Sequence, residues 1–472
     1  MQDRWSQNRI LSILLTLIFT MLLASVSYAE EDRLETQPPE TEASPSPAAP
    51  LSEESTSSET TETEEMATSD NTSPVDAAQF VGEPAPAPEA EAVPSVSTEP
   101  EQAAVEVPKS EEKETSWTDK ISLNGDFRYR LEMIDIPDQD DDTKVRYRHR
   151  IRGRIGLNAD LSNGFSAGFQ IATGSDDPVS TNQTIGDAFS SKPLWIDLAF
   201  VDWKPAFADG LALVFGKMKN PFRKPQKTEL IWDGDLNPEG MALGFEREIG
   251  IATPFLQTAG FFVEERKKAK DSWLLGVQGG VTLDFAEGLF YVSAGIGYFD
   301  HTHIKGATLY HDSEDSFGNS VEVLTDDDDV EYAVYMYDYN MIDGFFELGG
   351  KIVKFPWAVF GNVAKNVAED VDDGLGWLVG AKLGKAKKPL TFDLKYTYRV
   401  VESDAVLGVF TDSDFIGGGT DGKGHEWNIG FQVVTAMKIG ASFFLNQTPA
   451  KTEDGEKYRD YKRFQLDFQF KF

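Results

Sequence analysis

The 472-residue chain has no cysteine, five histidines and, beyond Ala29, no apolar run approaching the ~20 residues that a membrane-spanning helix requires. Without cysteine there are no disulfides, so an exported protein of this sequence must draw its stability from another closed construction, such as a barrel with every backbone group paired. Without long apolar runs, helical membrane spans are excluded. Positive charge is also scarce: 44 Lys and Arg stand against 79 Asp and Glu, a formal net charge of -35. That imbalance argues against a nucleic-acid partner.

The first apolar stretch reads as a secretion signal over residues 1–29. Arg4 and Arg9 precede the run Ile10 to Leu23, and Ser27-Tyr28-Ala29 supplies small residues at a cleavage position. From Glu30 to about Thr115 the chain is Glu, Pro, Ser, Thr and Ala, with Arg33, Lys109 and Lys113 its only bases. Such a segment has too little to bury to offset the entropy of ordering, so residues 30–115 are expected to be a disordered acidic periplasmic segment. It serves either as a plain linker or as a contact to the cell wall.

From residue 116 to 472 the texture is different. Segments of about ten residues alternate in polarity, as in a transmembrane barrel. The last strand is the clearest: Phe464, Leu466, Phe468, Phe470 and Phe472 alternate with Gln465, Asp467, Gln469 and Lys471. A strand closing a soluble sandwich can alternate in the same way, but four phenylalanines on one face at the end of an exported chain suit a lipid-facing wall. The strand resembles the terminal strand by which bacterial outer-membrane barrels are recognised for insertion. Short connections at Ser162-Asn163-Gly164, Ala286-Glu287-Gly288, Lys387-Lys388-Pro389 and Met437-Lys438 take turns with long polar ones at Asp138–Asp142, Ser175–Ser191, Arg223–Glu239, Lys305–Asp329, Gly417–Gly424 and Lys451–Glu456. Strand starts fall near Ile121, Val145, Phe165, Leu194, Leu211, Glu239, Phe255, Ser272, Leu289, Gly344, Trp357, Leu375, Leu390, His425, Ile439 and Arg459. The fold class is therefore all-β: a transmembrane antiparallel β-barrel of about 16 strands, wide enough for a water-filled channel.

Alternation also sorts the two faces. Leu123, Phe127, Tyr129 and Leu131 share one face of the first strand, with Asp126, Arg128, Arg130 and Glu132 on the other; Phe392, Leu394, Tyr396 and Tyr398 oppose Asp393, Lys395, Thr397 and Arg399 on the thirteenth. On the second strand five guanidinium groups, Arg146, Arg148, Arg150, Arg152 and Arg154, project from one face. Facing lipid, each would cost roughly 2–4 kcal/mol near the midplane, so the row belongs in the lumen. Together with Arg128 and Arg130 it forms a basic wall that stays charged at any physiological pH. The same arginines are equally suited to pairing with inward carboxylates that stiffen the wall, and the two roles are compatible. The segment Arg223–Glu239 offers Glu229, Asp233, Asp235 and Glu239 as opposing acids. Trp232 and Leu236 give it apolar anchors for folding into the pore, with an external loop as the alternative.

Gly216-Lys217-Met218-Lys219-Asn220-Pro221-Phe222 and Trp232-Asp233-Gly234-Asp235-Leu236-Asn237-Pro238-Glu239-Gly240 resemble the hallmark pair of the putative-porin family of Gram-negative outer-membrane proteins. With Phe472, the resemblance spans about Trp117 to the end. It implies a porin, and by similarity to porins generally a loop entering the pore and homotrimers. The long acidic lead departs from the family pattern.

Other motifs carry less. His301, His303, His311 and Asp312 are spaced like metal ligands, but no cysteine or compact carboxylate set completes a site. Asp412-x-Asp414 lacks the remainder of a calcium loop. Gly164-Phe165-Ser166-Ala167-Gly168 matches a nucleophile elbow but opens an alternating strand. The function expected is passive diffusion of ions and small hydrophilic solutes across the bacterial outer membrane, with lipid and lipopolysaccharide as surroundings, no cofactor, no metal and no catalytic residues. A lipase-like barrel enzyme and an envelope tether are the alternatives.

Overall fold

The computed structural model describes residues 117–136, 144–286, 288–449 and 458–472. The expected signal, the acidic segment and the loops at 138–142 and 451–456 lie outside the described residues.

Nineteen strands follow one another along the described chain: β1 (Ile121–Ile136), β2 (Lys144–Ser162), β3 (Phe165–Thr173), β4 (Gln183–Thr184), β5 (Leu194–Trp203), β6 (Leu211–Lys217), β7 (Glu239–Glu246), β8 (Ala252–Glu264), β9 (Ser272–Phe285) and β10 (Phe290–His301). They continue with β11 (Val321–Thr325), β12 (Glu331–Tyr335), β13 (Tyr339–Ile352), β14 (Phe355–Asn366), β15 (Leu375–Gly384), β16 (Thr391–Val401), β17 (Gly422–Val434), β18 (Met437–Pro449) and β19 (Tyr458–Lys471). Sixteen of them pair antiparallel in sequence around a ring, and β1 pairs with both β2 and β19, so the sheet closes. At the seam Gly125 and Phe472 exchange backbone hydrogen bonds, each 3.1 Å. Closure removes the free edges, which is the condition for a sheet to sit in hydrocarbon.

The sixteen sequence-derived strand starts coincide with these strands to within a few residues. Two elements escape the periodicity. The two-residue strand β4 returns to β2 opposite Arg150 and Ile151, and β11–β12 form a separate hairpin in the connection 302–338. Both are too short to show a repeat.

One rim carries only short turns, none longer than seven residues. At Ser162-Asn163-Gly164 all three residues have positive φ. A Cβ at Gly164, whose φ is +81°, would strike the backbone carbonyl of Lys204, so glycine is required there. Both ends of the barrel segment lie at this rim, and the long connections lie at the other.

The outer surface is apolar: Leu123, Tyr147, Ile155, Met241, Ile296, Phe346, Val379 and Leu445 are exposed, while Arg128, Arg130, Glu132, Gln278, Arg399, Gln465 and Asp467 are buried inside. This is the inverse of a soluble barrel and fits lipid outside. Ring pairs near the short-turn rim, Phe165 on Trp203, Phe285 on Phe290 and Phe355 on Phe392, form part of an aromatic girdle.

The interior is not uniformly polar, and here the structure departs from the sequence reading. Phe261, Leu274, Phe299, Met341, Phe360 and Leu378 point inward from β8–β10 and β13–β15 and enclose Phe222, Leu230, Ile231 and Trp232 of the connection 218–238. Val406 and Phe415 of the connection 402–421 join them. One side of the tube is thus filled by a dry, loop-built core, and the other side carries the charges.

Candidate functional site: a charged wall met by three inward loops

Register places the arginines in opposed pairs. Arg128 lies across from Arg152 and Arg130 across from Arg150, while Asp126 faces Arg154 and Glu132 faces Arg148. Like charges directly opposite repel, so the wall must be compensated. β19 supplies part of the answer through Asp467: Arg130 Nε lies 2.7 Å from its Oδ1, and Arg128 lies 3.8 Å away. Glu132, with a side chain shut off from solvent, accepts from Arg148 and Arg463 and from Gln465. Arg152 reaches Asp126 at 2.8 Å.

The rest of the compensation comes from three connections that turn into the lumen. From 218–238, Asp235 accepts from Arg154 at 2.5 Å and lies 3.8 Å from Arg152. From 402–421, Asp414 lies 3.1 Å from Arg130 and 2.7 Å from Arg463. From the stretch before β4, Asn182 Oδ1 accepts from Arg128 at 2.5 Å, Thr181 Oγ1 from Arg154 at 2.8 Å and Ser180 Oγ from Arg150 at 3.3 Å. Between wall and loops lies a cavity of about 550 Å³ lined by Arg128, Arg152, Arg154, Lys219, Lys224, Lys227, Asp233, Asp235, Asp412 and Asp414, among others.

Not every expected residue joins this cluster. Glu239 is the first residue of β7 and points outward, paired with Lys217 at 2.8 Å. Strand alternation, which resumes there, turns it away from the lumen. Arg146 is exposed, opposite Ile134 near the loop-bearing end of β2, beyond the paired arginines. The three histidines do not converge: His301 is sealed in β10 against the Phe410 ring, and His303 Nδ1 lies 3.0 Å from the Asp271 carbonyl. Conversely, Asp412, Asp414 and Arg463 were not singled out from sequence for this site. The pairings that bring Asp414 and Arg463 to β1 span 284 residues to Arg130 and 331 to Glu132, and spacing carries no trace of that.

Glu229, Asp233 and Asp412 bring carboxylate oxygens within 4.8 Å of one another, a set that is suggestive of a divalent cation. Positive charge is already present there. Lys224 Nζ donates to the Trp232 carbonyl at 2.8 Å and the Asp233 carbonyl at 3.3 Å, and Arg399 pairs with Asp412 at 2.9 Å. Burial, reinforced by Asp235 and Asp412, pushes the Asp233 carboxyl up to about 8. Burial and then Asp233 push Glu229 well above the carboxylate range. Asp235 behaves oppositely: burial opposes its ionisation, but Arg154, Arg152 and Arg128 prevail and hold it below the usual range. Two neighbouring loop acids are therefore pushed toward the neutral form and a third toward the charged form.

A pH effect follows with a definite sign. Because the Asp233 carboxyl titrates higher when folded than unfolded, its contribution to loop packing is full below about 4 and is lost as pH rises through about 8. Limited proteolysis of the connection 218–238 should be faster at pH 9 than at pH 6, and Asp233→Asn, which cannot ionise, should reduce the difference, with Glu229 accounting for what remains. Equal cleavage of the unsubstituted protein at both pH values would refute this.

A closed sixteen-stranded barrel, apolar outside and charged within, is an integral outer-membrane protein of the channel-forming class. The family model described as putative porin matches residues 135–342 and 354–472, and the chain belongs to that family. No curated protein matches it in sequence. Among solved structures it is similar to Pseudomonas putida OprB at high pH, with 12% identity, a TM-score of 0.49 and coverage of 75% of this chain and 94% of that one. It is similar to Salmonella typhi OmpF in complex with daunomycin at 11% identity and a TM-score of 0.44, covering 75% and 97%. The Acinetobacter baumannii outer-membrane channel DcaP gives 13%, 0.41, 75% and 97%.

Proposed function

We propose that the barrel is a porin through which ions and small hydrophilic solutes diffuse passively, with Arg128, Arg130, Arg148, Arg150, Arg152 and Arg154 as its basic wall and Asp233 and Asp235 on the opposing loop. The observation that carries this reading is the cavity of about 550 Å³ between that wall and the connection 218–238. Fixed charge of both signs across that gap, with Asp235 as the acid held ionised, creates a transverse field that orients polar solutes and discriminates between ions. No covalent step is needed. His149 Nδ1 lies 2.8 Å from the Tyr129 hydroxyl and His425 Nδ1 2.9 Å from that of Tyr396, both partners belonging to outward-facing positions. Hydrolysis of a lipid ester by the purified barrel would revive an enzymatic reading. Association into trimers, which family membership suggests, belongs to the same proposal and is read by cross-linking in outer membranes.

The test is electrical. Arg150→Ser together with Arg152→Ser leaves Asp126 with one cation fewer and should shift permeability toward cations by about tenfold. Unchanged reversal potentials in a salt gradient would remove the arginine wall as a selectivity element.

A further inference from the structure

The arginines of the wall are largely neutralised: Asp126, Glu132, Asp235, Asp414 and Asp467 all lie in ion pairs with them. Unspent positive charge lies elsewhere. Lys382 and Lys395 are cross-strand partners on β15 and β16, and both fall on the inward face, in step with buried Leu378 and with Thr397 and Arg399. Lys438, the second residue of β18, points into the same corner and lies 3.2 Å from Asp393. Lys227, at the turn of the inward loop, is close enough to Lys382 to act on it electrostatically, and it also lines the large cavity. Among the described residues Lys227, Lys382 and Lys395 form no ion pair, and Asp393 is the one carboxylate paired in the group. Four ammonium groups thus have one carboxylate at ion-pair distance, with Glu229 acting on Lys395 from farther off. All three strand lysines lie within a few residues of the short-turn rim, below the arginine wall.

We propose that this lysine cluster is a binding station for small anions bearing a phosphate or carboxylate group, which they enter from the cavity past Lys227. The proposal rests on the porin reading and specifies its solute class. Crowded ammonium groups that outnumber their counter-charges raise the local concentration of anions. Lysine, a flexible point charge with no fixed fork, holds an oxyanion loosely enough to release it, as conduction requires. Acids of the external loops are solvated and screened beyond about 8 Å at physiological salt, so they do not cancel the cluster.

The experiment uses the full chain refolded into planar bilayers. Chloride current is measured in a salt gradient, and inorganic phosphate or malonate is added as a blocker, the two arms separating phosphate from carboxylate recognition. The expected result is anion preference with block by at least one of the two. In Lys382→Gln/Lys395→Gln the block should be about tenfold weaker and the reversal potential should move toward potassium, while Lys382→Arg/Lys395→Arg retains both. Should the double variant fail to insert, Lys438→Gln, which frees Asp393 to neutralise its neighbours, is expected to act in the same direction. A barrel that conducts but prefers potassium, or whose block is indifferent to these lysines, overturns the station and leaves the porin. A barrel that passes no ions removes both.

Discussion

Trp232→Ala should enlarge the pore, raising single-channel conductance and admitting larger sugars in a liposome-swelling assay. The side chain is 2% exposed, stacked on Phe222 at 5.4 Å and edge-on to Phe299 at 4.6 Å. It is the largest anchor by which the connection 218–238 is fixed against β8–β10. Truncating a buried tryptophan costs about 3–5 kcal/mol, enough to loosen this inward connection against its wall despite its remaining contacts. Those include the Asp233 N–H to the Phe410 carbonyl at 2.9 Å and the Asp235 pairing with Arg154. The barrel wall, whose ladder does not include residue 232, should remain folded. Unaltered conductance and an unaltered sugar cut-off would mean that the loop does not restrict the path.

The second large effect is expected at Glu132→Ala. This carboxylate is fully enclosed and joins Arg148 on β2 to Arg463 and Gln465 on β19. Its loss leaves two guanidinium groups facing each other in a low-dielectric corner, with Asp414 as the one acid still paired to Arg463. Breaking a buried ion pair by removing one partner costs about 3–5 kcal/mol. Urea unfolding in lipid vesicles should register that loss, at the seam where β1 meets β19. Glu132→Gln, which keeps a hydrogen-bond acceptor but not the charge, should recover part of it. A loss below about 1 kcal/mol for the alanine variant would show that water has replaced the pairing.

The two effects differ in what foretold them. Trp232 and Leu236 stand out in sequence as apolar residues inside a long polar connection, and loop burial is the consequence. The position of Glu132 on the arginine face is readable from alternation, yet its role depends on Arg463, which is 331 residues away. The outward position of Glu239 has a local cause. Composition groups it with Asp233 and Asp235, but β7 begins at that residue and pleating assigns it to the outer face. The inward phenylalanines are not legible in sequence because period two separates the faces without saying whether the inner one is wet. Phe261 and Phe299 are apolar on a lumen-facing register only because a loop covers them.

What the sequence alone determined is the part of the structure that repeats: strand positions, their even number, alternating rims, the apolar outer band and the arginine row on the other face. A pleated strand writes its two environments into every second residue, so a one-dimensional reading recovers them. What only the tertiary structure decided is which loops enter the tube, which acids meet which arginines and where positive charge is left over. Those depend on distances between residues far apart in the chain, and electrostatic energy is set by separation and burial, neither of which is a property of sequence order.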